Sequence, residues 1–183
     1  PVGIKEELKA TIKKIYKKNQ YALLSANSLS LKLKWASSVL LQEILDELCK
    51  EGFLSFENGI YKNANIEIQN IDKHIEETIY KILQNSSYTP DAPYNIYDDL
   101  DIDRKAGDNA LKKLTKAKKV VRLAHNIFVD TDALSEIISK LREIIANEGF
   151  VDVVTFKKHF DISRKYLVAY LDYLDNYADI KKE

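Results

Sequence analysis

The sequence is short of cysteine and of long apolar runs, and each shortage excludes a class of protein. Cys49 has no second cysteine with which to form a disulfide, and its leucine-rich surroundings predict a buried thiol in a reducing compartment. No stretch approaches the roughly 20 apolar residues that a membrane-spanning helix requires. The first residues also lack the apolar segment of a signal peptide. We therefore expect a cytoplasmic protein that makes no membrane contact.

Residue combinations typical of catalytic centres are missing as well. His74, His125 and His159 are far apart in the sequence, and no spacing typical of metal ligands or of a phosphate-binding loop is present. Carboxylates are abundant, but they follow predicted helix surfaces and turns, and no pair stands out. The sequence thus predicts no catalytic residue, no metal site and no cofactor in this chain.

The charges of the chain balance. The 28 lysines and arginines equal the 28 aspartates and glutamates, so the protein is not a polycation that coats nucleic acid indiscriminately. Hydrophobic residues make up 45% of the sequence, which is enough to build packed cores. Any binding of a polyanion must therefore use a local patch of positive charge.

An internal repeat organises the chain. Residues 100–105 read LDIDRK and residues 160–165 read FDISRK, and each segment is followed at the same distance by a pair of leucines. A looser third copy lies upstream of both. We therefore predict three modules, which cover residues 1–64, 65–131 and 132–183.

Each module has the same predicted order of helices. It begins with a helix whose apolar residues recur at spacings of three and four, so that one face lies in a core. A short helix and a tight turn follow, and then a longer helix that starts at a residue suited to cap it. The three capping candidates are Ser37, Asp103 and Ser163. This order is typical of a helix-turn-helix.

Alternating apolar and polar residues after the longer helix predict a β-hairpin, the wing. Residues 53–61 include an Asn-Gly pair suited to a two-residue turn, and residues 120–129 repeat the pattern. Only a remnant, residues 178–182, follows in the third module. The predicted fold is mostly α with small β-hairpin wings, a tandem array of three winged-helix modules whose last wing is incomplete.

The start of the last long helix is the strongest candidate for a binding site. In this fold that end meets nucleic acid, where free amides and side chains contact phosphates and base edges. Ser163 can cap the helix and donate to a phosphate, Arg164 can contact a phosphate or a guanine edge, and Lys165 adds a mobile charge. In the first module the equivalent residues are uncharged, and in the second they are surrounded by aspartates. A capped helix with ordinary solvated cations stays the alternative.

Other residues of the third module are secondary candidates. Tyr166 is predicted as a stacking contact for an unpaired base, whereas Tyr170 and Tyr173 are assigned mainly to packing. Lys157 on the short helix and Arg142 on the first helix of the module are further cations. Lysine-rich stretches elsewhere are predicted to be solvated helix faces.

The chain resembles a known family over its last part. Residues 129–175, above all Ser163–Tyr166 and Tyr173–Asp175, resemble the C-terminal winged helices of the bacterial selenocysteine-specific elongation factor. The resemblance implies that the last module binds the selenocysteine insertion hairpin of messenger RNA, which presents phosphates and splayed loop bases. The predicted RNA-binding residues are Arg142, Lys157, Ile162, Ser163, Arg164, Lys165 and Tyr166.

The same resemblance implies partners that a larger parent protein would reach. The ribosome and selenocysteinyl-tRNA would be contacted through that parent, and its GTPase, with GTP and Mg²⁺, would lie in a region absent from this chain. We expect the chain itself to be a monomer.

Two other classes of function stay open at this point. One is a tandem winged-helix scaffold that joins proteins and uses the acidic second module as its docking face. The other is a DNA-binding regulator, which predicts a symmetric dimer and is disfavoured by the differences among the modules. The salt dependence of the affinity distinguishes RNA binding from an apolar protein contact. Counterion release makes RNA binding steeply dependent on ionic strength, whereas an apolar contact changes little.

Overall fold

The computed structural model describes residues 3–183. Contacts along the chain define two compact units. The first contains the residues up to Glu77 together with Tyr94–Ala110, and the second contains Thr78–Pro93 together with Leu111–Glu183. The proposed module boundaries at residues 64 and 131 stay predictions.

Helices and hairpins follow one another in a repeated order. The first stretch comprises α1 Ile4–Lys18, α2 Ala26–Lys32, α3 Ser38–Lys50, β1 Leu54–Glu57 and β2 Ile60–Asn63. The next stretch comprises α4 Ile68–Ser86, α5 Pro93–Asp99, α6 Arg104–Lys116, β3 Val120–Ala124 and β4 Ile127–Asp130. The last comprises α7 Thr131–Glu148, α8 Val153–His159, α9 Arg164–Tyr173 and a 3₁₀ turn, Leu174–Asn176. We call α3, α6 and α9 the recognition helices, since each is the second helix of a helix-turn-helix.

The core of the first unit follows from helical spacing. Leu8, Ile12 and Tyr16 recur every fourth residue of α1 and are at most 1% exposed. They pack with apolar residues of α2, α3 and the β1–β2 hairpin in one cluster. The Tyr16 hydroxyl donates a hydrogen bond of 2.7 Å to the carbonyl of Tyr61, so the polar end of this buried ring is satisfied.

The β1–β2 hairpin has the turn that its sequence predicts. Asn58 and Gly59 both have positive φ angles, 52° and 83°, as a two-residue turn between twisted antiparallel strands requires. The strands pair in register, with Phe56 opposite Tyr61. The second hairpin, β3–β4, is also antiparallel and has an irregularity between Arg122 and Ala124.

The second unit holds the three helices of the last stretch. The Asp130 carboxylate caps α7 by accepting a hydrogen bond from the Ala133 amide, and Gly149 ends the helix with a φ of 84°. Apolar residues of α7 pack against Phe156 of α8 and Leu167 of α9 in a second cluster. Residues 178–182, the predicted wing remnant, form no strand. The structure confirms a mostly helical fold with two small antiparallel hairpins in residues 3–183.

Candidate nucleic-acid interface

The turn between α8 and α9 presents the start of the third recognition helix. The Ser163 carbonyl accepts hydrogen bonds from the amides of Tyr166 and Leu167, at 3.1 and 3.3 Å, so Ser163 occupies the N-cap position. Its side chain makes no capping hydrogen bond, which corrects the prediction that the hydroxyl caps α9. By contrast, the Ser37 hydroxyl does cap α3, by accepting from the Leu40 amide at 3.1 Å. The exposed Ser163 hydroxyl is therefore available to a ligand.

Two cations follow Ser163 directly. Arg164 and Lys165 are exposed, and neither forms an ion pair with the described residues 3–183. The Lys165 ammonium lies 4.8 Å from the centre of the Tyr166 ring, a position that leaves it open to solvent. Unpaired amides and the helix dipole add partial positive charge at the same end of α9. The helix start is therefore an open, cationic surface.

Lys157 and Ile162, two further predicted contacts, lie on α8 and in the turn that follows it. Lys157 is exposed in the last turn of α8 and forms no ion pair within the described part of the chain. Ile162 is half-buried and packs against the core of the second unit. Its side chain therefore helps to hold the turn in place.

The structure corrects the role predicted for Tyr166. Only 7% of this residue is exposed, and its hydroxyl donates a hydrogen bond of 2.9 Å to the carbonyl of Pro90. A ring held in this way has no open face on which a base can stack. The packing role predicted for Tyr170 is confirmed, because Tyr170 is fully buried and its hydroxyl donates to the Tyr88 carbonyl at 2.6 Å. Burial raises the pKa of Tyr170.

Arg142 is occupied by a partner that the sequence did not indicate. Its guanidinium donates two hydrogen bonds to the Asp179 carboxylate, at 2.6 and 3.3 Å, and lies 4.8 Å from the centre of the Tyr177 ring. The hydrogen bond with Asp179 raises the pKa of Arg142, and the same bond lowers the pKa of the Asp179 carboxyl. The RNA contact predicted for Arg142 stays a prediction. An RNA phosphate would have to compete with the Asp179 carboxylate for the Arg142 guanidinium.

The second recognition helix begins against other residues of its own compact unit. Asp103 accepts hydrogen bonds from the Lys105 amide at 3.2 Å and from the Ser28 hydroxyl at 2.8 Å. The Asp103 amide donates to the carbonyl of Leu23 at 2.6 Å. Nearby, Asp101 forms an ion pair of 2.8 Å with Lys32. The carboxylate and the amide of Asp103 are therefore already engaged within the unit, while Arg104 and Lys105 are exposed beside them.

These contacts bear on the acidic docking face considered for the second module. Two of its carboxylates, those of Asp101 and Asp103, are engaged by side chains of the same unit. Arg104 stacks over the Tyr94 ring, 4.2 Å from its centre, and lies 3.9 Å from Asp98. No local pattern predicts the contacts of Asp101 and Asp103, because their partners on α2 are distant in sequence.

The first recognition helix has an open start of different chemistry. Val39 in its first turn is 78% exposed, and Trp35 in the preceding turn is 48% exposed. Ser38 and Val39 stand where the third module has Arg164 and Lys165, so this helix start carries no cation of its own. Of the three recognition helices, α9 is thus the one best suited to an anion.

The part of the chain that the structure describes offers neither a metal site nor a membrane-spanning helix. Among residues 3–183, no cluster of three or more histidine, cysteine, aspartate or glutamate side chains has a geometry that could hold a metal ion. No described helix combines the length and the apolar character needed to cross a membrane. The cationic start of α9 therefore remains the principal candidate site.

A helix-turn-helix followed by an antiparallel hairpin defines the winged-helix class, to which this fold belongs. Residues 143–183 match the family model described as "Elongation factor SelB, winged helix". The matched range contains α8, the turn and α9, with Ser163, Arg164 and Lys165. The resemblance predicted for the third module is thereby confirmed over these residues.

Among solved structures, the chain is similar to the crystal structure of a bacterial selenocysteine-specific elongation factor, EF-Sec. The sequence identity between the two is 23%, and the TM-score is 0.46. The similarity covers 95% of this chain and 28% of that protein, so the chain spans well under half of its length. No curated protein sequence matches the chain.

Proposed function

We propose that this chain is a C-terminal winged-helix region of a selenocysteine-specific translation elongation factor. In this proposal the third module binds the selenocysteine insertion hairpin of messenger RNA. The observation that carries it is the exposed start of α9, where Arg164 and Lys165 form no ion pair with residues 3–183 and the Ser163 hydroxyl has no capping bond. The family match over residues 143–183 supports it, because it falls on this helix.

The chemistry of the helix start suits a folded RNA. Arg164 can donate two parallel hydrogen bonds to a phosphate or to a guanine edge, whereas Lys165 acts as a compact charge that tolerates several geometries. Ser163 can donate its hydroxyl proton to a phosphate oxygen, and the free amides of the first turn can do the same. Contacts of these kinds position a hairpin backbone and read bases that its loop exposes.

The remaining parts of the proposal concern the protein to which such a region belongs. We propose that the ribosome and selenocysteinyl-tRNA are reached through that parent protein, which also carries the GTPase with its GTP and Mg²⁺, and that it acts in the cytoplasm. This chain is assigned no catalytic step and no cofactor, and it binds as a monomer.

Titration of the chain with RNA tests the proposal. A fluorescently labelled selenocysteine insertion hairpin, a scrambled RNA of equal length and a DNA duplex are compared at about 50 and about 200 mM salt, a range over which phosphate contacts lose much of their affinity. The proposal expects preference for the hairpin and a steep loss of affinity with salt. Arg164→Ala should weaken hairpin binding by about 1–3 kcal/mol and reduce the salt slope by about one.

Lys14→Ala provides a matched control, since Lys14 is an exposed lysine of α1 outside any ion pair in residues 3–183. It should leave hairpin affinity almost unchanged. Equal affinity for hairpin and scrambled RNA would refute specific recognition. Tighter binding to the DNA duplex, together with dimerisation, would favour a regulator of transcription. Salt-independent capture of a protein partner would favour a scaffold.

A further inference from the structure

The loop after α4 reaches the third recognition helix within the second compact unit. We call residues 87–90 the 87–90 loop. Ser87 has a φ of 52°, in the left-handed region, so the chain turns away from the axis of α4 at this residue. The Thr89 amide donates to the Ser86 carbonyl at 3.2 Å, and Pro90 is buried. The loop is therefore a folded connection and has a defined conformation.

Two tyrosines of α9 are hydrogen-bonded to this loop. Tyr166 and Tyr170 are one helical turn apart on the same face of α9. Their hydroxyls donate to the carbonyls of Pro90 and Tyr88, at 2.9 and 2.6 Å. Both rings are almost fully buried, at 7% and 0% exposure, so each hydroxyl depends on its carbonyl partner for satisfaction.

The side chain of Tyr88 extends the same contact to the turn before α9. Its ring packs edge-on against Phe160, with 5.6 Å between the ring centres. Phe160 in turn packs against Phe156 of α8 at 5.4 Å. The Tyr88 hydroxyl donates to the Glu136 carboxylate of α7 at 2.6 Å. The loop thus touches α7, the turn and α9 at once.

These contacts lie directly behind the proposed RNA-binding surface. Tyr166 follows Lys165 in sequence, and its amide closes the first turn of α9 onto the Ser163 carbonyl at 3.1 Å. Without the loop, two buried hydroxyls would have no partner, or α9 would have to tilt to bring them to water. The unsatisfied hydroxyls would favour the tilt, and the tilt would move Arg164 and Lys165, which stand on that first turn.

We propose that the 87–90 loop is a positioning element for RNA binding, and that Tyr166 and Tyr170 are positioning residues that fix the direction in which α9 presents Arg164 and Lys165. The inference deepens the proposed function and rests on it for its binding readout. The cationic helix start then depends on a segment that lies far upstream in the sequence, outside the third module as its sequence repeat defines it.

The test uses the full chain with Tyr166→Phe and Tyr170→Phe combined. Phenylalanine keeps both rings and removes only the two hydroxyls that donate to the loop. The matched control is Tyr16→Phe, which removes an equally buried hydroxyl that donates to a carbonyl at 2.7 Å in the first unit. Tyr88→Ala keeps the backbone carbonyl that accepts from Tyr170, and it removes the ring contact with Phe160 and the hydrogen bond to Glu136. For all variants we measure hairpin affinity, thermal stability and hydrogen exchange of the Tyr166 and Leu167 amides.

We expect the double variant to bind the hairpin about tenfold more weakly, because a reoriented α9 misplaces Arg164 and Lys165, and tenfold corresponds to about 1.4 kcal/mol of binding free energy. The amides of Tyr166 and Leu167 should exchange faster in the double variant and in Tyr88→Ala. The Tyr16→Phe control should lose stability without losing affinity. Either wild-type affinity or wild-type exchange in the double variant would overturn the inference.

Failure of the proposed function is distinguishable from failure of this inference. If the wild-type chain does not prefer the hairpin, the proposed function fails, and amide exchange alone decides whether the loop positions α9. If the wild-type chain prefers the hairpin and all tyrosine variants bind equally well, only the positioning role is overturned.

Discussion

The Ser28 hydroxyl donates a hydrogen bond of 2.8 Å to the carboxylate of Asp103, the residue at which the second recognition helix begins. The two residues are far apart in the sequence but lie in one compact unit. The bond joins the end of α2 that carries Ser28 to a helix start that would otherwise be free to meet a ligand. It also holds a carboxylate directly beside the cations of α6, where its negative charge opposes the approach of an RNA phosphate.

Ser28→Ala should therefore lower the free energy of unfolding. Hydrogen bonds to a charged group contribute about 1.5–3 kcal/mol, so we expect a loss of this order in a urea titration. Ser30→Ala is the control, because Ser30 lies on the same helix and its side chain makes no hydrogen bond within residues 3–183. That variant should change stability by less than about 0.5 kcal/mol. Equal losses in the two variants would contradict the importance of the Asp103 contact.

Gly107→Ala should destabilise the protein although alanine is the better helix former. A Cβ at this position would lie 2.5 Å from Cδ1 of Tyr97, whose ring is fully buried. Overpacking of this kind costs about 1–3 kcal/mol, and so close a contact puts the cost near the upper end of that range. The cost therefore exceeds the roughly 1 kcal/mol that alanine gains in helix propensity. Thermal unfolding measures the net loss.

An exposed position of the same helix gives the comparison for Gly107. Asn109→Ala in α6 introduces alanine without a buried neighbour, so its melting temperature should stay at or above that of the wild type. A Gly107→Ala variant as stable as Asn109→Ala would show that Tyr97 can move aside at little cost.

Arg142→Ala should weaken hairpin binding less than Arg164→Ala does. Arg142 already donates two hydrogen bonds to Asp179, so an RNA phosphate gains only what remains after that pair is broken. Arg164 has no such competitor among residues 3–183. Parallel titrations of the two variants against the hairpin give the comparison, and a larger loss for Arg142→Ala would assign the main contact to α7.

The pair between Arg142 and Asp179 should persist into acid. The hydrogen bond from Arg142 lowers the pKa of the Asp179 carboxyl below its ordinary value of 3.8. A group whose pKa is lowered by folding contributes stability that is complete above the unfolded pKa and is lost as the pH falls through the folded pKa. The NMR shifts of the Tyr177 ring, which Arg142 faces, should therefore change in a transition centred below pH 3.8.

Asp179→Asn serves as the control for this titration. It should remove the acid transition of the Tyr177 signals, because the amide has no proton to gain. A transition centred above pH 3.8 in the wild type would contradict the lowered pKa. The same transition in the variant would assign it to another carboxyl group.

The fold could be predicted from the sequence where the controlling signals are local. Helical spacing located the helices that bury Leu8 and Ile12, and the Asn58-Gly59 pair located the first wing. The same spacing placed Ile4 on the core face of α1, but Ile4 is 54% exposed, whereas Tyr16 near the end of the helix is buried. Periodicity gives the direction of a face but does not show where along the helix its neighbours end.

The candidate site could be predicted in part for the same reason. Arg164 and Lys165 were recognised because they follow directly from the repeat and from the helix start. The structure showed Tyr166 buried and Arg142 paired, and both results depend on partners that are distant in sequence, Pro90 and Asp179. Cys49, expected to be buried, is partly exposed, and its partial burial raises the pKa of the thiol.

The hydrogen-bonded start of α6 determines how this protein can be divided for experiments. A shortened chain that begins after Asn63 would lose Ser28 and the Leu23 carbonyl, so the Asp103 carboxylate and amide would both face solvent. Such a piece would display an acidic helix end whose carboxylate and amide are hydrogen-bonded to upstream residues in the longer chain. Affinities or aggregation measured on the shortened chain would reflect this newly exposed helix end and would not describe the longer chain.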